Sequence, residues 1–393
     1  MVGRYAISRS RNKPPDIDQG AWTILLVDMD GFFASIEAVR HPELTGLPVV
    51  VGADPKGGAG RGVASTCSYE AREYGIHSGM PISRAYRICP DAKFLPVDMA
   101  LYQAVSGRIM KILASYADAF QRVSIDEAFI GVKTDDPEDA IETALNIKKE
   151  ILTKEKLTCS IGIGPNKLVA KIASDVRKPD GLTIVAPGEV CEFLDLMPVT
   201  KIPGIGKKTG QALKSMKIET IRDLREYDAR KLVLRFGKWG YRMQDLARGI
   251  DRSEVKEDCT VKSIGRELTF EEDTSDPGII YDSIDALADE THRALSKTGY
   301  LFRTVSVKVR FEDFDTHTRS KSIGFTSSDP ELVRNISKNL ISEFIGEVKI
   351  RLIGIRLSNL RIADNGSSGS VYRSHCLREP CITRQTSIYE FIR

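Results

Sequence analysis

Cysteine, histidine and tryptophan are scarce in this chain, with 7, 5 and 2 residues in 393. The cysteines are scattered and none belongs to a Cys-x-x-Cys pair, which argues for reduced thiols and against a disulfide framework or a structural zinc site. His375, Cys376 and Cys381 lie close together near the C-terminus, but three ligand types in a polar tail are a weak metal signal. Long apolar runs are absent too. No stretch is long and apolar enough to span a bilayer, and the N-terminal residues lack the apolar core of a signal peptide. A cytoplasmic protein without membrane contact is therefore expected. The net charge is only +3, too small to argue for nucleic acid by itself, so the distribution of charge matters more than its sum. The length of 393 residues exceeds a single core and predicts two to four domains.

The most informative stretch is Ser124-Ile125-Asp126-Glu127-Ala128-Phe129. Apolar residues fall at Val123 and Ile125 before the acidic pair, and at Ala128, Ile130 and Val132 after it. The parity flips at Asp126-Glu127, as expected where a strand turns or bulges, which holds the carboxylates at the rim of a sheet. A second acidic site lies far upstream, where the apolar run Ile24 to Val27 ends in Asp28. Three carboxylates from two strand ends can converge on hard cations, and Mg²⁺ favours few protein carboxylates together with waters and substrate phosphates. An Asp-Glu pair at a hairpin is commonly only a solvated turn. Matching strand contexts at both acidic sites, with phosphate-binding candidates nearby, outweigh that reading.

Four motifs now stand in order: Val27-Asp28-Met29-Asp30-Gly31-Phe32-Phe33-Ala34, Ser65 to Arg72, Ser124 to Phe129, and Lys171 to Asp175 followed by Lys178-Pro179-Asp180-Gly181. In this register they resemble the Y-family DNA polymerases, most closely the DNA polymerase IV (DinB) type, which includes archaeal lesion-bypass enzymes. The resemblance runs from about Trp22 to Arg361. It implies an α+β multidomain fold: a right-hand polymerase with a ferredoxin-like palm (21–40 and 99–186) and small fingers (41–98). A helical helix-hairpin-helix thumb (187–253), a linker (254–262) and an α/β little finger (263–362) follow. Residues 1–20 read as a flexible basic leader. The resemblance also implies two Mg²⁺ ions per active site, roughly 3.5–4 Å apart. Asp28 and Asp126 would bridge them, Glu127 would complete the primer-side ion, and the backbone carbonyl of Met29 would help to hold the nucleotide-side ion. Asp30 is left as a nearby structural carboxylate.

For the incoming triphosphate, the resemblance assigns Thr66, Tyr69, Arg72 and Lys178. Tyr69 and Arg72 are three apart on a helix expected over Thr66 to Tyr74 and share a face, and Arg suits phosphate oxygens. An ordinary amphipathic face is the alternative. Phe33 falls where the family places a bulky aromatic beneath the nucleotide sugar, a steric gate against a 2′-hydroxyl. The alternative is a core phenylalanine beside Phe32.

The thumb region carries its own DNA signal. Ile202-Pro203-Gly204-Ile205-Gly206-Lys207 looks like the hairpin of a helix-hairpin-helix. Gly204 and Gly206 permit close backbone approach to a phosphate, the next helix N-terminus donates amides, and Lys207 adds charge. From Pro187 to Ser253 there are fourteen Lys/Arg against nine Asp/Glu, which suits a domain that grips backbone without reading sequence. In the little finger, Thr304 to Arg310 alternates Val305, Val307 and Val309 with Ser306, Lys308 and Arg310. This predicts a half-exposed strand with a basic outer side; Lys308 and Arg310 there are the candidates for DNA contact, with an ordinary solvated face as the alternative. Residues 363–393 read as a flexible tail. Its segment Gln385 to Ile392 resembles a peptide that binds a sliding clamp of the PCNA type, with Gln385 for a polar pocket and Ile388 and Phe391 for an apolar one. Ile392 departs from the second aromatic usual there.

The expected activity is template-directed DNA synthesis past lesions, with low fidelity, low processivity and no proofreading, by a monomer acting on primer-template DNA and dNTPs. Two rivals stay open on the sequence. A nucleotidyl cyclase would share the palm and its carboxylates but need no hairpin. A non-catalytic DNA-binding or clamp-adaptor protein would need none of Asp28, Asp126 and Glu127.

Overall fold

The structure, a computed structural model, describes residues 22–134, 136–257 and 261–363. The expected leader, the clamp-binding peptide with Gln385, Ile388 and Phe391, and the His375, Cys376 and Cys381 group lie outside the described residues.

The first strand, β1 (Trp22–Met29), is apolar at every position from Ile24 to Val27, and all four of these residues are buried. Such a strand must lie in the middle of a sheet covered on both faces. The turn after it passes through Gly31 at φ 54°, a left-handed conformation that favours glycine, and opens the Phe32–Arg40 helix. A small three-stranded sheet follows, with β2 (Val49–Gly52), β3 (Ala64–Cys67) and β4 (Lys93–Leu95) in the order β3-β2-β4. Here one expectation is corrected. The helix expected from Thr66 spans only Tyr69–Glu73, and Thr66 stands on β3, paired with Val51. The β-branched run Val49-Val50-Val51 offers a strand partner. Ser68 then caps the helix, its hydroxyl accepting from the Ala71 amide, which fixes the helix start beyond Thr66.

The chain next completes the large sheet with β5 (Ala119–Arg122), β6 (Glu127–Lys133), β7 (Cys159–Gly164) and β8 (Leu182–Ile184). The order is β5-β6-β1-β7-β8, with β1 antiparallel to both neighbours. Alternation along β1 then decides what each face does. Leu25, Val27 and Met29 join the core made with the Met99–Ser115 and Pro137–Glu155 helices. Ile24 and Leu26 pack with Phe129 and Ala170 on the opposite face, under the Lys167–Ser174 helix. Asp28 follows Ile24 and Leu26 in phase and therefore points to that helix. The same helix turns Leu168, Val169, Ile172 and Ala173 into the core of the next unit, a cluster of short helices from Val190 to Ala247.

The last unit begins with β9 (Ser263–Thr274) and continues with β10 (Tyr300–Phe311), β11 (Thr316–Ser327), β12 (Ile350–Ser358) and the short β13 (Arg361–Ile362). Four strands run in the order β11-β10-β12-β9. Val305, Val307 and Val309 are buried with the Pro277–Ser296 and Pro330–Ile341 helices. Two ion pairs tie this unit to the small sheet's loop: Lys56 Nζ lies 2.8 Å from Glu271, and Arg61 Nη1 lies 2.5 Å from Asp273 Oδ1. Arg61 also donates to the Phe270 carbonyl at 3.0 Å.

Candidate active site

The β5–β6 hairpin holds Asp126 in its turn and Glu127 as the first residue of β6. Glu127 stands directly opposite Asp28 in the β1–β6 register, so the two carboxylates share one face. The Met29 amide donates to the Asp126 carbonyl at 2.9 Å, which pins the turn beside the end of β1. Ser124 Oγ donates to Asp126 Oδ1 at 2.5 Å.

Two lysines meet these carboxylates. Lys171 Nζ lies 3.0 Å from Asp28 Oδ2 and 2.7 Å from Glu127 Oε1. Lys178 Nζ lies 2.8 Å from the same Asp28 oxygen and 2.9 Å from Asp175 Oδ1. Burial pushes the Asp126 carboxyl above its ordinary range; the Ser124 hydroxyl offsets part of this and the Asp28 charge adds to it. Burial likewise raises Glu127, against the opposing pull of Lys171. For Lys171, burial would lower the pKa, but the charges of Asp28 and Glu127 outweigh it and the ammonium is held firmly protonated. Asp30 has a different role. It is 2% exposed and accepts from Ser160 Oγ at 2.8 Å and from the Asp180 amide at 2.8 Å. Its oxygens brace the 178–181 loop through the Asp180 amide.

One cleft is lined by Asp28, Met29, Phe33, Thr66, Tyr69, Arg72, Asp126 and Lys178 together. It thus gathers residues from β1, β3, the Tyr69–Glu73 helix, the acidic hairpin and the loop after the Lys167–Ser174 helix. The Arg72 guanidinium lies 4.4 Å from the Tyr69 ring centroid, and Tyr69 donates to Asp30 at 3.3 Å. Phe33 is half-buried and stacks on Tyr102, with centroids 4.2 Å apart and planes 14° off parallel. Tyr102 is itself fixed by a 2.7 Å hydrogen bond to Glu37. Phe32 is the more buried of the two, at 2% exposure, and Phe33 packs against the same core from the cleft side.

The donor set suits a hard divalent cation: three carboxylates beside one another on two adjoining strands. Among the described residues, however, no three His, Cys, Asp or Glu side chains converge closely enough to hold an ion between them. Ammonium groups lie against Asp28 and Glu127, while Asp126 takes the Ser124 hydroxyl.

Away from the cleft, Gly204 has φ 94°, and a Cβ there would come within 3.0 Å of the Trp239 ring. Gly206 precedes the Lys207–Ser215 helix as its N-cap. The expected first helix of the hairpin is only the 3-10 turn Val199–Lys201. Lys308 and Arg310 share the open face of the last sheet as expected, but Lys308 is 2.9 Å from Glu267 and Arg310 donates to Thr316 Oγ1. Sequence reading missed Lys171, Tyr102 and Glu37 as parts of the site. Lys171 stands four residues before Asp175 in a motif already noted, yet only the fold brings it to Asp28, 143 residues away.

A model of the impB/mucB/samB family matches residues 27–175, and that family's C-terminal domain model matches 261–371. A thumb-domain model named for DNA polymerase-iota matches 200–251. DNA polymerase IV 2 of Methanosarcina mazei is 51% identical over 340 residues, covering 86% of this chain and 92% of the relative. The chain belongs to the DNA polymerase IV (DinB) branch of the Y-family DNA polymerases. DNA polymerase IV of Methanoculleus marisnigri is 49% identical over 373 residues, covering 95% of this chain and 99% of that protein. Among solved structures, a Y-family chimera of Dbh and Dpo4 has a TM-score of 0.78 at 33% identity, covering 86% of this chain and 99% of its own. An insertion ternary complex of Dbh DNA polymerase has 0.61 at 32% with the same coverages. The protein is thus a metal-dependent, DNA-directed DNA polymerase of the low-fidelity translesion type. The cyclase and adaptor readings fall away. No helix among the described residues is long and apolar enough to cross a membrane.

Proposed function

We propose that Asp28, Asp126 and Glu127, with the Met29 carbonyl, hold two Mg²⁺ ions for transfer of a deoxynucleotide to a primer 3′-hydroxyl. The observation that carries this is the Asp28–Glu127 register pair beside Asp126, at a cleft that is also lined by the Thr66 and Tyr69 hydroxyls, the Arg72 and Lys178 cations and the Phe33 ring. Bound there, the ions would supply Lewis-acid activation of the primer hydroxyl and charge neutralisation at the pyrophosphate.

The chain's own residues supply binding and orientation. Arg72 reaches triphosphate oxygens with paired N–H donors, Thr66 and Tyr69 give hydroxyls, and Lys178 gives a point charge. The Arg72–Tyr69 contact holds the guanidinium over a ring, which reduces the rotamer freedom lost on binding phosphate. Phe33, backed by Tyr102, forms a rigid floor beneath the sugar. A rigid ring excludes a 2′-hydroxyl better than a mobile one, because the clash cannot be relieved by rotation. Gly204, Gly206 and Lys207 grip the duplex backbone, and Lys308 and Arg310 add contacts from the little finger. The tail peptide with Gln385, Ile388 and Phe391 tethers the monomer to a PCNA-type clamp, raising its concentration at primer ends. The protein works in the cytoplasm on primer-template DNA with dNTPs.

Primer extension with Mg²⁺ and dNTPs, on undamaged and abasic templates, tests this reading. Wild type should extend and pass the lesion. Asp126→Ala/Glu127→Ala should bind the primer-template and not extend it. Extension by that variant would remove the assigned carboxylates from the chemistry.

A further inference from the structure

The Lys167–Ser174 helix delivers one charged side chain into the acidic site, and the assigned function does not use it. Lys171 rises from a helix locked on both sides, by Ala170 against the large sheet and by Leu168, Val169 and Ile172 against the thumb core. Its backbone is therefore fixed beside the carboxylates. It contacts Asp28 Oδ2 at 3.0 Å and Glu127 Oε1 at 2.7 Å, oxygens on two of the three carboxylates assigned to the ions. Lys178 shares the Asp28 oxygen but belongs to the cleft wall beside Thr66, Tyr69 and Arg72, where a triphosphate can draw it away. Lys171 is not on that wall, and its direct ion-pair contacts are to Asp28 and Glu127.

We propose that Lys171 is a resident counter-ion that competes with divalent cations for Asp28 and Glu127, so that stable metal occupancy waits for the phosphates of the substrate. The inference rests on the metal assignment above. Its physical basis is that a unit positive charge within ~3 Å of two ligand carboxylates repels a divalent ion brought to the same oxygens, and does so strongly where water is partly excluded. An incoming triphosphate changes the balance on two counts. It adds negative charge and oxygen ligands to the site, and it offers Lys178 another partner, which frees one contact on Asp28. Lys171 is thus a positioning residue. It keeps the two strand-end carboxylates together and sets the order in which charges arrive.

The test is titration of Mn²⁺ into the full-length protein without DNA or nucleotide, read by the loss of the free-ion electron paramagnetic resonance signal. Lys171→Met should bind Mn²⁺ at least about tenfold more tightly than wild type, whereas Lys171→Arg should stay as weak as wild type. A variant that is merely damaged would bind less tightly, never more, and near-ultraviolet circular dichroism checks that the fold is kept. Unchanged or weaker affinity in a folded Lys171→Met protein overturns the proposal. Asp28→Asn separates the two readings. If it does not weaken Mn²⁺ binding to Lys171→Met, the metal assignment fails; if it does while Lys171→Met shows no gain over wild type, only the counter-ion role fails. Adding dNTP should narrow the difference between wild type and Lys171→Met.

Discussion

Lys178 lies 2.8 Å from Asp28, and Lys56 lies 2.8 Å from Glu271. The first pair sits in the cleft with its side chains 20% and 12% exposed; the second joins the fingers loop to the little finger at 49% and 67%. Equal distances carry unequal consequences. Water and salt screen the outer pair, so it contributes at most about 1 kcal/mol. The inner charges have lost much of their hydration, and each depends on the others for compensation. The cleft is a place where removing one group disturbs all its neighbours, whereas the joint is a place where pairs can be exchanged singly.

The same carboxylate-to-amide change at the two sites tests the contrast. Asp28→Asn should lower the rate of primer extension by at least about a thousandfold, equivalent to several kcal/mol of lost charge stabilisation, in single-turnover assays with binding of primer-template retained. Next in size, Phe33→Ala should raise ribonucleotide incorporation relative to deoxynucleotide by roughly a hundredfold, the scale on which pocket contacts discriminate. Because Phe33 is only half-buried, the variant should stay folded; a large fall in melting temperature with unchanged sugar selectivity would return it to the core reading.

An intermediate case lies in the thumb. Asp251 accepts from Arg242 at 2.5 Å and from the amide and hydroxyl of Ser253. Burial alone would raise its pKa, but the Arg242 and Ser253 bonds outweigh it and hold it below the ordinary carboxylate value. A depressed folded value means that the stabilisation is complete above that ordinary value and is lost as pH falls through the depressed one. Asp251→Asn should cost about 2 kcal/mol at neutral pH, the scale of hydrogen bonds to charged groups. The gap from wild type should close on acidification in chemical denaturation. At the small end, Glu271→Gln should shift stability by less than about 1 kcal/mol, and less still in high salt. A shift as large as that of Asp251→Asn would show that the joint behaves like the interior.

How much of this was legible in the sequence follows from how local each signal is. The parity flip at Asp126-Glu127 and the apolar run ending in Asp28 are short-range patterns, and the three carboxylates stand as read, Asp28 and Glu127 near strand ends and Asp126 in the turn beside them. Alternation along β10 likewise placed Lys308 and Arg310 on one face. Thr66 was misplaced because its strand depends on a partner, β2, fifteen residues away, while the local pattern also suits a helix. Lys171, Tyr102 and the Arg61–Asp273 pair were invisible for the same reason in stronger form. Their partners are 44 to 212 residues distant, and no periodicity within a window reports them. The pairing of Lys308 with Glu267 also needs the sheet, since the order β10-β12-β9 sets β12 between their strands.

The placement of β1 at the centre of the large sheet has a consequence for how the protein is made. β1 is the first of the described strands to leave the ribosome, yet its hydrogen-bonding partners are β6 and β7, the latter ending at Gly164. Until those strands follow, Leu25 to Val27 have no sheet to enter, and the small fingers unit, whose strands all precede residue 96, can fold first. Sheets assembled from such distant segments form slowly, and their unpaired strands are prone to association meanwhile. A nascent chain stalled before Asp126 would therefore expose a sticky apolar strand while carrying no trace of the catalytic site, so that activity arises only when the palm closes on its own beginning.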